Sequence, residues 1–102
     1  MSSFQKMLKR AQQMQQDVEK TQNEVAKVEF THASNGVEAV AVGNFTLKSI
    51  RVAPELLGAG ADKEMLEDCL LVAVNGALNK ARGEMEKRMS AITGGLNLPG
   101  VM

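Results

Sequence analysis

The sequence predicts an α+β fold in the order α-β-β-β-α, with a three-stranded antiparallel meander between two long helices. Apolar residues recur with helical spacing in both terminal thirds of the chain. The middle third is instead rich in β-branched residues and contains two glycine-containing turn signals. Because the chain has 102 residues, about the size of one domain, residues 1–102 are assigned to a single unit.

The first helix is predicted over residues 1–28. Ser2 and Gln5 have the spacing of a capping box, which satisfies the free amide donors at a helix start. From Ser3 to Val28 this helix spans about 39 Å, whereas a seven-residue strand spans about 23 Å. The helix is therefore expected to extend past the sheet. Its apolar residues follow a heptad pattern, interrupted by Thr21, at Phe4, Met7, Ala11, Met14, Val18, Val25 and Val28.

The apolar residues of this pattern that extend past the sheet would be exposed to solvent unless another helix packs against them. A symmetric homodimer, with the helices paired as in a coiled coil, is the favoured solution because closed twofold dimers are the commonest assemblies. The alternative is that the second helix of the same chain covers the pattern throughout. The predicted dimer seam consists of Phe4, Met7, Ala11, Met14 and Val18.

The meander is predicted over residues 28–53, where β-branched and aromatic side chains are frequent. Asn35-Gly36 favours the positive φ angles of a tight hairpin turn, and Gly43-Asn44 is a second turn signal before Pro54 ends the sheet. Apolar residues occupy both alternation sets of residues 37–42, which predicts a strand that is central or covered on both faces.

The second helix is predicted over residues 62–93. Asp62 is a good N-cap, and the acidic residues that follow it suit the positive end of the helix dipole. Gly94-Gly95 is a stop signal, and residues 94–102 are expected to be irregular. The apolar residues of the helix keep a spacing of three to four at Leu66, Cys69, Leu70, Ala73, Ala77, Ala81, Met85, Met89 and Ile92.

No residue pattern indicates catalysis, a cofactor, a metal site or a small-molecule substrate. His32 is the single histidine and is expected at the surface or at a strand end beside the first turn, while Cys69 is a single cysteine with core-like neighbours. The glycines lack the Lys-Ser/Thr sequence of a phosphate loop. Because no apolar run is long enough to cross a bilayer and no secretory signal is present, a cytoplasmic protein without a membrane partner is expected.

Charge is distributed unevenly although the formal net charge is zero. Residues 1–27 carry five basic and three acidic residues, residues 28–79 carry three and seven, and residues 80–102 carry four and two. Lys6, Lys9 and Arg10 lie near the positive end of the first helix dipole, which costs roughly 0.3–1 kcal/mol per exposed charge and favours an external anion.

Antiparallel packing of the two helices would bring these three cations toward the basic residues of the second helix. The alternative interpretation is that these basic residues are simply a solvated, charged face of the protein. The candidate anion-binding residues are Lys6, Lys9, Arg10, Lys80, Arg82, Lys87 and Arg88.

Several segments together resemble the YbaB/EbfC family of bacterial nucleoid-associated proteins. They occur in the order and spacing of that family and extend over essentially the whole chain. The segments are residues 9–15 (KRAQQMQ), 54–57 (PELL), 62–68 (DKEMLED), 73–77 (AVNGA) and 94–100 (GGLNLPG).

The resemblance implies a homodimer of tweezer-like shape that binds double-stranded DNA in the nucleoid and has no enzymatic activity. It assigns DNA contacts first to Lys6, Lys9 and Arg10, and second to Lys80, Arg82, Lys87 and Arg88 of the later helix. The glycine-rich first hairpin of the family is reduced here to a single glycine in residues 33–38, so a binding role for that loop is not expected. A helical protein-interaction adaptor that binds no DNA is the competing hypothesis.

Overall fold

The computed structural model describes residues 2–93 and confirms the α-β-β-β-α order. The predicted irregular segment 94–102 lies outside the described residues. The elements are α1 (Ser3–Val25), β1 (Glu29–Ser34), β2 (Val37–Val42), β3 (Thr46–Val52), a short 3-10 helix (Pro54–Leu56) and α2 (Lys63–Thr93).

Helix α1 begins with the predicted capping box. The Ser2 hydroxyl accepts a hydrogen bond from the Gln5 amide at 3.2 Å, and the Ser2 amide donates to the Gln5 side chain at 3.2 Å. The helix ends at Val25, not at Val28 as predicted. Val28 has left the helix because its carbonyl accepts a hydrogen bond from the Gly43 amide at 3.1 Å, next to the sheet.

The three strands form an antiparallel sheet in the order β1-β2-β3, as predicted. In the central strand, Val37, Ala39 and Ala41 are fully buried and belong to the same core cluster as residues of α2. The alternate residues of this strand are half-buried on the other face of the sheet. The strand is therefore central, and α2 covers one of its faces.

The first hairpin turn follows the prediction, with φ angles of 47° at Asn35 and 96° at Gly36. The second turn differs, because its left-handed residue is Phe45, with φ 65°, and not Gly43 or Asn44. Gly43 serves a different purpose: a Cβ atom there would lie 1.8 Å from the Val25 carbonyl oxygen. The glycine is required because the end of α1 passes directly over the turn.

Helix α2, with 31 residues, packs on the sheet with its first half and on α1 with its second half. It starts at the predicted cap, where the Asp62 carboxylate accepts a hydrogen bond from the Met65 amide at 3.1 Å. Its first half lies over β1 and β2 and buries Cys69, Ala73 and Ala77. The small side chains at these positions let the helix approach the sheet closely.

His32, for which a surface or strand-end position is predicted, lies half-buried in β1, two residues before the last residue of the strand, Ser34. It pairs with the fully buried Ala39 and therefore shares the face of the sheet that α2 covers. A Cβ atom at Gly76 of α2 would be 2.1 Å from His32 Cδ2. Gly76 is thus the position at which the helix makes room for the imidazole ring.

The second half of α2 leaves the sheet and packs against α1. Each helix has a buried or half-buried stripe about 16 Å long, from Val25 back to Met14 in α1 and from Ala81 to Ile92 in α2. Both stripes start near the sheet, so the two helices are antiparallel. Residues 3–13 of α1 extend beyond this helix pair, and all of them are exposed.

Candidate nucleic-acid interface

The exposed end of α1, residues 3–13, is basic, and we call it the α1 arm. It carries Lys6, Lys9 and Arg10 and no acidic residue, since the first acidic residue of the sequence is Asp17. Among residues 2–93, no hydrogen bond or ion pair occupies these three side chains. They are free to bind an external anion.

The cations and the apolar residues lie on opposite sides of the α1 arm. Successive helical residues are rotated by about 100°. This places Lys9 opposite the stripe that packs on α2 further along the helix and Lys6 to one side of it, whereas Arg10 is in line with the stripe, four residues before Met14. The apolar side of the arm consists of Phe4, Met7, Leu8 and Ala11, of which Met7 and Ala11 continue the stripe. Because the arm extends beyond the helix pair, an anion can approach all three cations without disturbing the contact between α1 and α2.

Of the four candidate cations in α2, which are Lys80, Arg82, Lys87 and Arg88, three already have partners. Lys80 Nζ donates to the Thr31 carbonyl at 2.7 Å, and Arg82 Nη1 donates to Asn79 Oδ1 at 3.0 Å. Arg88 is half-buried and bonds Glu84 at 3.3 Å. Among these four, Lys87 is exposed, and the described part of the chain gives its side chain no such bond.

The structure does not concentrate all seven predicted cations at one end. Helix α2 pairs with α1 from Met14 to Val25, so Lys80 lies level with the sheet end of α1. With a rise of 1.5 Å per residue, Lys6 and Lys80 are separated by roughly 30 Å along the helix pair. The candidate site therefore has a cluster of three cations on the α1 arm and Lys87 between this cluster and the sheet.

The predicted dimer seam is divided into two parts. Met14 and Val18 are half-buried in the stripe that faces α2 of the same chain, whereas Phe4 and Met7 are 71% and 70% exposed. Helix α2 therefore covers the Met14 and Val18 part of the seam and leaves the part on the α1 arm exposed. Sequence reasoning missed Leu8, which is 51% exposed beside Phe4 at a spacing of four residues.

Within residues 2–93, no three His, Cys, Asp or Glu residues are grouped so that they could hold a metal ion. None of the helices described there has the length and apolar character needed to span a bilayer.

A family model described as the YbaB/EbfC DNA-binding family matches residues 1–96. A small α+β chain with a free basic helical arm is thus matched to a class of DNA-binding proteins and not to a class of enzymes. The chain belongs to the YbaB/EbfC family, as its sequence segments indicated.

Curated relatives of this chain are nucleoid-associated proteins. One from Thermoanaerobacter pseudethanolicus is 44% identical over 97 residues, which cover 93% of this chain and 86% of the relative. One from Pelotomaculum thermopropionicum is 42% identical over 98 residues, covering 94% of this chain and 92% of the relative. A third, from Clostridium acetobutylicum, is 39% identical over 97 residues, covering 93% and 86%.

Proposed function

We propose that this chain is a nucleoid-associated protein of the bacterial cytoplasm that binds double-stranded DNA as a homodimer through the cations of its α1 arms. Contact is mainly with backbone phosphates, and binding in this way influences nucleoid organisation and gene expression. The observation that carries the proposal is the α1 arm itself, where Lys6, Lys9 and Arg10 are exposed with no acidic residue nearby in the sequence. Membership of a DNA-binding family supports it.

Electrostatics support an anionic ligand at this position. The first turn of α1 has no acidic residue, so the positive end of the helix dipole and the three cations reinforce one another. Phosphate oxygens suit such a site because they accept hydrogen bonds from lysine and arginine and carry the opposite charge. The acidic residues of the chain are concentrated far away, in residues 28–79.

Phosphate contacts position a protein on DNA but carry little sequence information. We assign the lysine and arginine side chains of the arm to phosphates. Binding is therefore expected to depend strongly on salt and weakly on sequence. If a dimer neutralises about six phosphates, the slope of log affinity against log salt is about −5.

The proposal is tested by replacing Lys6, Lys9 and Arg10 together with Ala, which preserves helix propensity. Fluorescence anisotropy with random-sequence duplexes measures affinity from 50 to 200 mM salt. Wild-type affinity should fall by about 10³-fold over this range. The triple variant should bind more weakly at every salt concentration and with a slope near zero.

A matched control removes three cations outside the site. Lys48, Arg51 and Lys63 lie in the acidic middle of the chain, and replacing them with Ala changes the net charge by the same amount. This control should keep the wild-type salt slope. If the two triple variants lose affinity equally, binding follows net charge, and the α1 arm has no special part in it.

The exposed apolar side of the arm favours the adaptor as a second candidate function. Phe4, Met7 and Leu8 are more than half exposed and could pack against a helix of another protein. An adaptor would capture a stoichiometric protein partner and would not be retained on DNA-cellulose. The DNA-binding hypothesis requires that the wild-type protein is retained on DNA-cellulose. The variant with Lys6, Lys9 and Arg10 replaced by Ala should not be retained.

A further inference from the structure

The apolar side of the α1 arm has no partner among residues 2–93. Phe4, Met7 and Leu8 are 71%, 70% and 51% exposed. All residues from 3 to 13 are exposed, because α2 packs on α1 only from Met14 onward. Apolar side chains that are clustered on one side of an exposed helix indicate a contact with another molecule.

The apolar side and the cations point in different directions around the arm. With 100° between successive residues, Lys6 and Lys9 each lie about 150° from the centre of the apolar side, and Arg10 lies about 110° from it. In the proposed function, on which this inference rests, the cations face the phosphates of a duplex. The apolar side then faces away from that duplex and is left for a different partner.

The spacing of the apolar residues lets two arms pair with one another. In an antiparallel pair with a twofold axis between positions 7 and 8, position 4 of one arm faces position 11 of the other, and position 7 faces position 8. The largest side chain, Phe4, then lies against the smallest, Ala11, while Met7 lies against Leu8. Large and small side chains that face each other in this way fill the space between two helices. Met7 and Ala11 also continue the stripe that packs on an antiparallel helix, α2.

We propose that the α1 arms of two copies bound to different duplexes pair through their apolar sides, so that the protein bridges two segments of DNA. Packed helices have axes about 8–10 Å apart. Because the cations of each arm point away from the other arm, the pair presents cations on two opposite surfaces. Each surface binds one duplex. Bridging is thus an activity beyond the binding of a single duplex.

The pair of arms is too small to form without DNA. Stable interfaces bury roughly 1,200–2,000 Å², whereas each arm contributes four apolar side chains, one of which is an alanine. The cations of the two arms also repel one another. DNA removes both obstacles, because its phosphates neutralise the cations and because arms that are bound to it reach a high local concentration. Pairing therefore depends on DNA.

The experiment measures bridging separately from binding. One duplex is attached to beads, and a second, fluorescent duplex is captured when the protein links the two. The protein concentration for half-maximal capture reports bridging. Fluorescence anisotropy with one short duplex at low concentration reports binding. Sedimentation equilibrium gives the mass of the free protein, and circular dichroism gives its helix content.

Three variants test the pairing of positions 4 and 11. Phe4→Ala leaves two alanines facing each other, and Ala11→Phe brings two phenylalanines together. Each change should raise the protein concentration for half-maximal capture by about tenfold. The variant that combines both changes exchanges the two sizes, so that a large residue again faces a small one and wild-type capture should return. Leu57→Ala is the matched control, because it shortens a side chain that is 63% exposed outside the arm, and it should capture DNA like wild type.

All four variants should keep the wild-type affinity for a single duplex, the mass of the free protein and the helix content. Return of capture in the combined variant would identify a second arm as the partner, since bases, lipid or an unrelated helix do not require opposite sizes at positions 4 and 11. Wild-type capture by Phe4→Ala, or a loss that the combined variant does not restore, would overturn the bridge. A lower mass of free Phe4→Ala would also overturn it, because the arms would then pair without DNA.

The two readouts distinguish failure of the bridge from failure of the proposed function. A wild type that binds a single duplex but captures no second one would contradict the bridge and leave the function intact. A wild type that binds no duplex at all would contradict the function, and the bridge with it.

Discussion

Gly76 and Gly83 of α2 should respond in opposite directions to substitution by Ala. In a helix, Ala is favoured over Gly by about 1 kcal/mol. A Cβ at Gly83 has no other atom within 4 Å, so the Gly83→Ala variant should gain up to that amount. A Cβ at Gly76 would lie 2.1 Å from Cδ2, 2.4 Å from Cγ and 2.7 Å from Nε2 of His32. The ring must move for Ala to fit.

Overpacking of this kind costs about 1–3 kcal/mol. Because the helix-propensity gain is the same for both variants, it cancels in their difference. The free energy of unfolding of Gly76→Ala should therefore be lower than that of Gly83→Ala by about 1–3 kcal/mol. Urea denaturation followed by circular dichroism measures both values, at one protein concentration so that any association affects them equally.

A double variant provides the control. Replacing His32 with Ala removes the ring, so Gly76→Ala should then become as favourable as Gly83→Ala. Equal stability of Gly76→Ala and Gly83→Ala in the presence of His32 would show that the ring does not pack against Gly76. The reasoning that places β1 beneath this part of α2 would then be refuted.

Two further predictions concern the start of α2 and the contact between α1 and the sheet. Gly43→Ala should lower the free energy of unfolding by more than about 3 kcal/mol, since its Cβ would meet the Val25 carbonyl oxygen at 1.8 Å, while Gly58→Ala should stay within about 0.5 kcal/mol. Thermal or urea melts of the pair check this, and similar losses in both variants would count against it. Asp62→Ala should cost about 1 kcal/mol through loss of its bond to the Met65 amide, and the Asn variant should retain most of the stability. An unchanged urea midpoint for Asp62→Ala would contradict that role.

Features that depend on neighbouring residues were predictable from the sequence. The Ser2–Gln5 capping box, the Asp62 cap and the Asn35-Gly36 turn each involve atoms within a few residues of one another. Their chemistry is the same in any fold, which is why the elements and their order were correctly derived.

Features that depend on distant contacts were not predictable. Gly43 has the composition of a turn residue, but its role is set by the Val25 carbonyl, which belongs to another element. The end of α1 was placed three residues late because Val28 continues the heptad spacing while bonding to Gly43 next to the sheet. In both cases the tertiary contact overrides the local pattern.

The candidate site shows the same division. The sequence identified Lys6, Lys9 and Arg10 as a group without acidic neighbours, and the structure places them together on the exposed arm. The sequence could not show that Lys80 bonds to the Thr31 carbonyl, or how far α1 and α2 are offset along their axes. Their contacts with DNA, and the homodimer itself, stay predictions.

Because one uninterrupted helix, α2, packs on the sheet and also supports α1, the cations are connected to the sheet end by a stiff rod and not by a linker. The distance between the two groups of phosphates bound by a pair of such chains would then be a fixed property of the fold. Such a protein would favour duplex shapes that match its span, and lengthening α1 by whole turns between the arm and Val25 would change that preference without altering Lys6, Lys9 or Arg10.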